Sequence, residues 1–216
     1  MSVLTRIKIC GLTREADVAA AIEAGADAIG FVLYPKSPRH VPLARAVQLA
    51  RALPPFVMPV LLFVNAVRAD IDKACAALPQ ALLQFHGDET AAQCEAPGRA
   101  YLRAVRMAPG VDLLDCARRF SSAAALLLDA DVEGYGGGGK VFDWSLLPTA
   151  VASRLVLSGG LNPANVIDGV LRVRPYAVDV SSGVEASKGI KDALLMRRFC
   201  QAVREADSRL EVAAES

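Results

Sequence analysis

At 216 residues, 53% of them hydrophobic and 22% charged, the chain can bury the core of one soluble globular domain. Its 24 basic and 23 acidic side chains leave a formal charge of +1, which removes the electrostatic case for nucleic acid or an anionic membrane as a partner. No extended apolar run follows a basic start at the N-terminus and no segment approaches the ~18 apolar residues of a membrane span, so a cytoplasmic location is expected.

Taken in chain order, short apolar runs alternate with amphipathic stretches. Strands are expected at 6–10, 28–33, 57–63, 81–85, 101–105, 124–128, 155–157 and 176–180, with helical patterns at 14–24, 43–52, 67–77, 164–173 and 193–205. Near-continuous apolar strands alternating with helices imply a parallel sheet buried on both faces. Eight units in 216 residues leave about 27 each, compact for a (βα)8 TIM barrel of about 250 residues, and exclude long inserted domains. An open doubly wound sheet is the alternative, and it would carry Gly-x-Gly-x-x-Gly after its first strand. The first strand here ends Cys10-Gly11-Leu12-Thr13. The expectation is a single α/β barrel domain over 1–207, followed by a flexible tail at 208–216.

Cysteines stand at 10, 75, 94, 116 and 200, an odd number with no Cys-x-x-Cys pair, so neither a disulfide framework nor a zinc site is indicated. Reduced thiols are expected. The last four lie in helical patterns and read as packing residues. No His, Asp or Glu cluster at ligand spacing calls for a metal.

In such a barrel the reactive side chains stand at the C-terminal ends of the strands. Two late segments, 155–162 and 177–183, share one design: an apolar strand running into a loop of small residues. There, backbone N–H groups can approach an anion, so Gly159, Gly160, Ser181, Ser182 and Gly183 are candidate phosphate ligands. Cys10, at the exit of the first strand, can serve as base or nucleophile where its pKa is drawn below about 8.5, or simply pack. Asp129 emerges from Leu126-Leu127-Leu128, an environment that raises a carboxyl pKa and suits a general acid; capping or ion pairing is the plainer reading. The first and sixth strands lie three steps apart around an eight-stranded ring. Cys10 and Asp129 therefore face each other, as an isomerisation by paired base and acid requires. Arg39, held in a loop with Pro35 and Pro38, can grip a carboxylate in bidentate fashion or stand solvated. His86 ends the fourth strand without a sequence-local partner, and Tyr135 to Lys140 reads as a mobile lid, a backbone wall or a plain flexible loop.

With these residues placed, the sequence resembles the phosphoribosylanthranilate isomerase family. The likeness rests on Lys8-Ile9-Cys10-Gly11-Leu12-Thr13, the stretch from Gly30 to Arg39, Leu83-Gln84-Phe85-His86-Gly87, the stretch from Gly137 to Trp144, Ser158-Gly159-Gly160-Leu161-Asn162-Pro163, and the stretch from Asp179 to Glu185. These segments run in order through nearly the whole chain. The resemblance implies a (βα)8 barrel that converts an aminoaldose phosphate into an aminoketose by an Amadori rearrangement, without a cofactor. It further implies a phosphorylated small-molecule substrate, in a monomer or a homodimer. It makes Asp129 the general acid and Cys10 the general base, with Arg39 on the anthranilate carboxylate. His86 and Asp179 become substrate contacts, and Gly137, Gly138 and Gly139 join the phosphate loops.

Two departures and two rivals stand beside it. Gly138 occupies a place where the family usually has Thr or Ser, which removes a hydroxyl contact, and residues 208–216 extend past the last helical pattern. A histidine-pathway aldose-ketose isomerase would carry a carboxylate at position 10 and phosphate loops in both halves. A barrel that only binds phosphosugar would not need both Cys10 and Asp129.

Overall fold

The computed structural model describes residues 4–108, 110–130 and 155–215. Eight parallel strands close into a barrel in chain order: β1 (Arg6–Cys10), β2 (Ala28–Val32), β3 (Met58–Phe63), β4 (Leu82–Phe85), β5 (Tyr101–Met107), β6 (Ala125–Ala130), β7 (Leu155–Leu157) and β8 (Ala177–Val180), with β8 returning to β1. Around them lie α1 (Glu15–Ala24), α2 (Leu43–Ala50), α3 (Arg68–Ala77), α4 (Ala91–Glu95), α5 (Leu113–Arg119), α6 (Val166–Val173) and α7 (Ala193–Glu215). A two-stranded hairpin, β9 (Glu185–Ser187) and β10 (Ile190–Lys191), leads into α7. Among the described residues no helix is long and apolar enough to cross a membrane.

The alternation of side chains along each strand separates two cores. Ile7, Ile9, Leu61, Phe63, Leu83, Phe85, Leu126 and Leu128 face the helices in one large buried cluster. Val60, Leu102, Ala104, Ala125, Leu127, Val156 and Ala177 fill the barrel interior. The same alternation sends Lys8 and Cys10 inward from β1, Gln84 from β4, Asp129 from β6 and Asp179 from β8. The polar residues of the barrel thus sit above its apolar plug, at the C-terminal rim.

The boundaries of the expected elements agree with the periodicity to within two residues except at the end of the last helix, and three of the differences have physical reasons. β5 and β6 each run two residues beyond the apolar pattern because Arg106↔Asp129 and Met107↔Ala130 extend their shared ladder. Asp129 therefore lies inside a strand, one residue from its end. The last helix does not stop at 205 but continues to Glu215. Its buried Ala206 and Asp207 anchor it, and strong helix formers follow. The Asp207 carboxylate accepts from the Thr5 hydroxyl at 2.6 Å, and Arg204 Nη1 donates to the Thr5 carbonyl at 2.7 Å. Residues 208–215 are helical rather than a separate tail.

Candidate active site

Cys10 points into the barrel mouth beside Val32, Leu62 and Val64. Gly30 is its register partner on β2, and a Cβ there would stand 2.7 Å from the Cys10 sulfur. Only glycine leaves the thiol its place. One step down the same face, buried Lys8 donates to Asp179 Oδ1 at 2.7 Å, and the Ser158 hydroxyl reaches Asp179 Oδ2 at 3.3 Å.

Above Cys10, Arg39 gives Nε and Nη2 to the two Glu185 carboxylate oxygens at 2.7 and 2.8 Å. Lys191, fully buried at its side chain, donates to Glu185 Oε1 at 2.8 Å and to the Ser181 carbonyl at 2.9 Å. The cluster thus contains three cations, Lys8, Arg39 and Lys191, and two carboxylates, Asp179 and Glu185. A Cys10 thiolate would make the charges equal. Burial nevertheless pushes the Cys10 thiol above its ordinary 9.0; Lys8 opposes that push, Asp179 adds to it and Lys191 opposes it. The free protein does not show the lowered thiol that a resting base would have. Burial also drives Lys191 down, against the pull of Glu185. For Lys8 burial is outweighed by Asp179 and Cys10, so its value rises.

Across the mouth stands a chain of hydrogen bonds between side chains from β4 and β6. Gln84 Nε2 lies 2.9 Å from His86 Nδ1, and His86 Nε2 lies 3.0 Å from Asp129 Oδ2. Asp129 Oδ1 also accepts from the Ala130 amide at 3.0 Å. The turn after His86 is braced from below. Buried Glu89 accepts from the amides of Asn65 at 2.7 Å and Gly87 at 2.9 Å and from Arg103 at 3.1 Å, while Arg103 donates to the Gly87 carbonyl at 2.9 Å. His86, expected to lack a sequence-local partner, has one on each ring nitrogen: Gln84, two residues before it, and Asp129 across the mouth.

After β7, Gly159 and Gly160 adopt φ of +76° and +68°, the left-handed region where glycine is favoured. The Gly160 carbonyl is held by Asn165 Nδ2 at 3.0 Å, and among the described residues no acceptor takes the Gly159 or Gly160 N–H. After β8, the Ser181 hydroxyl donates to the Cys10 carbonyl at 3.0 Å, tying this loop to the thiol strand.

One cavity collects most of the residues expected at the strand exits: Cys10, Arg39, His86, Asp129, Gly159, Gly160, Asp179, Ser181 and Ser182. Gly183 stands behind that lining, packed under the Leu161 carbonyl. Gly137, Gly138 and Gly139 lie outside the described residues. Sequence reasoning gave no role to Glu185, Lys191 or Gln84. Gln84 carried a usable signal, an amide in the apolar strand Leu82-Leu83-Gln84-Phe85. Lys191 and Glu185 carried none: they pair with each other six residues apart across a hairpin, and Arg39, the other partner of Glu185, is 146 positions away. Among the described residues no group of three or more His, Cys, Asp or Glu is placed to hold a metal ion. The arrangement sets a thiol within a cationic cluster on one wall and a carboxyl on the other, with open backbone N–H groups at one end.

A family described as PRAI, N-(5'-phosphoribosyl)anthranilate (PRA) isomerase, matches residues 7–202. The chain is 72% identical over 205 residues to the N-(5'-phosphoribosyl)anthranilate isomerase of Leptothrix cholodnii, covering 95% of this chain and 93% of that one. Its structure is similar to a monomeric form of the dimeric phosphoribosylanthranilate isomerase of Thermotoga maritima, at a TM-score of 0.83 and 35% identity, covering 94% of this chain and all of that one. It is also similar to a phosphoribosyl anthranilate isomerase in complex with reduced 1-(o-carboxyphenylamino)-1-deoxyribulose 5-phosphate, at a TM-score of 0.83 and 37% identity over 94% and 100% of the two chains.

Proposed function

Since the chain belongs to the N-(5'-phosphoribosyl)anthranilate isomerase family, we propose that its site works by paired acid and base from opposite walls. The enzyme isomerises N-(5'-phosphoribosyl)anthranilate, an aminoaldose, to 1-(2-carboxyphenylamino)-1-deoxyribulose 5-phosphate, an aminoketose, in tryptophan biosynthesis. The observation that carries the mechanism is that Cys10 and Asp129 line one cavity with Arg39 and the Gly159 loop.

The phosphate takes the open amides at Gly159 and Gly160, with Ser181, Ser182 and Gly183 contributing from the next loop. The anthranilate carboxylate takes Arg39. Two of the five guanidinium N–H groups belong to Glu185, and three are left for ligand, so Glu185 aims the guanidinium instead of competing for all of it. Asp129 gives its proton to the furanose oxygen. The C1′–O bond breaks with its electron pair on that oxygen, leaving an open-chain Schiff-base cation. The Cys10 thiolate then takes the C2′ proton, the C–H pair moves toward the cationic nitrogen, and the resulting enolamine tautomerises to the ketone. Asp179, held by Lys8 and Ser158, contacts the sugar. The location we assign is the cytoplasm, where all five thiols stay reduced.

The direct test generates phosphoribosylanthranilate in situ and follows its conversion, with the histidine-pathway aminoaldose as the control substrate. Turnover of the first is the expected result. Turnover of the control alone would overturn the assignment.

A further inference from the structure

Gln84 has no exposed surface, and its amide spends its one described hydrogen bond on the His86 ring. Among the described residues its Oε1 has no partner. A buried amide carrying an unpaired carbonyl costs more than an apolar side chain of the same size would. Stability therefore does not account for glutamine on this strand, and the imidazole contact is what the amide does there.

That contact has a direction. The Gln84 Nε2 group is a donor only, so the Nδ1 it faces at 2.9 Å must accept, and the ring proton then sits on Nε2, facing Asp129 at 3.0 Å. A second ring proton on Nδ1 would set N–H against N–H. We propose that Gln84 is a positioning residue for the acid wall: by donating to Nδ1 it holds His86 as the Nε2–H tautomer and keeps the transferable proton on Asp129 rather than on the imidazole. The inference rests on the acid role of Asp129 given above. Proton balance is simple. With Nδ1 facing the Gln84 donor, the proton that Asp129 loses to the ring oxygen is replaced from solvent on the same carboxyl, and the imidazole keeps its own throughout.

Other charges surround the pair. Arg106 is the backbone register partner of Asp129 on β5, and Asp88, Arg103, Arg106 and Arg119 line one cavity with His86 and Asp129. Cys10 and Asp179 face it across the cavity, and Glu89 holds the Gly87 amide. None of these touches Nδ1 in the described structure. Among the described residues Gln84 alone addresses that nitrogen.

The chain has two histidines, so a His40→Asn background leaves His86 as the sole imidazole in a ring-nitrogen NMR spectrum. In the folded, unliganded protein at neutral pH the expected signal is a single Nε2–H tautomer. Gln84→Met keeps the packing and removes the donor, and both tautomers are then expected. Gln84→Glu replaces the donor with an acceptor, and a ring protonated on both nitrogens is expected. Turnover should fall about tenfold in the first variant and further in the second, with KM within about twofold and a displaced acid limb of kcat against pH. A lone Nε2–H tautomer in Gln84→Met would overturn the proposal, as would kcat–pH profiles that superimpose on the parent. Near-normal turnover of Asp129→Asn would instead remove the acid role itself, while the tautomer spectra stand apart from that result.

Discussion

The two walls of the pocket prepare a proton transfer in different ways. On the β1–β8 side the proposed base lies within formal charges: Lys8 and Asp179 below it, Arg39, Glu185 and Lys191 above. On the β4–β6 side the hydrogen bonds that orient the proposed acid come from an imidazole and, behind it, an amide, while Glu89 and Arg103 brace the turn at Gly87. A thiol must lose a proton in a buried place, which needs surplus positive charge. A carboxyl that must keep one is served by a fixed hydrogen-bond direction and harmed by a cation at its oxygens. Charge sets one wall and tautomer the other.

The largest effect should come from removing either end of the pair. Cys10→Ala and Asp129→Asn should each lower kcat by about 10² to 10⁴-fold, the range for positioned acid–base groups, with KM little changed. Near-normal kcat in both would end the comparison, since neither wall would then matter to the chemistry. Next comes Lys8→Met, which leaves Asp179 buried beside Ser158 without its cation. A loss of about 3–5 kcal/mol in chemical denaturation is expected, against a small change for Gln84→Met, which removes no charge. Equal losses would mean the walls are held alike.

The smallest effect sharpens the electrostatic half. Because burial raises the Cys10 value above 9.0, the thiolate is the minor form at neutral pH. Its fraction, and hence the rate of iodoacetamide labelling, should climb about tenfold per pH unit toward that value. Cys94 and Cys200, which burial pushes up to about 12 and about 11, should remain unlabelled over that interval. Lys191→Met withdraws a nearby positive charge, so labelling of Cys10 at a fixed neutral pH should slow several-fold to about tenfold. An unchanged rate would show that Lys191 serves the Glu185 loop and not the thiol.

The eight strands were legible because a parallel barrel buries both faces of every strand, so each reads as an apolar run ending in a polar or small residue. Cys10, Asp129 and the two small-residue loops stood out for that reason. What stayed hidden depends on closure. Glu185 meets Arg39 across 146 positions, and Asp129 meets His86 across 43, contacts that exist only once the ring has formed. The short α4 and α5 give too few turns for a periodic signal; Thr90 and Asp112 start them by capping. The length of α7 turned on Asp207, whose partner Thr5 lies at the far end of the chain.

That last contact also sets a timetable for synthesis. Thr5 and Asp207 are 202 positions apart, and at ribosomal speeds of ~5–20 residues per second the strand that bears Cys10 waits about ten to forty seconds for the helix that locks it. Until then β1 lacks both β8 and α7. The first strand translated is among the last to be secured, so the nascent barrel spends most of its synthesis with the Cys10 thiol on an open edge.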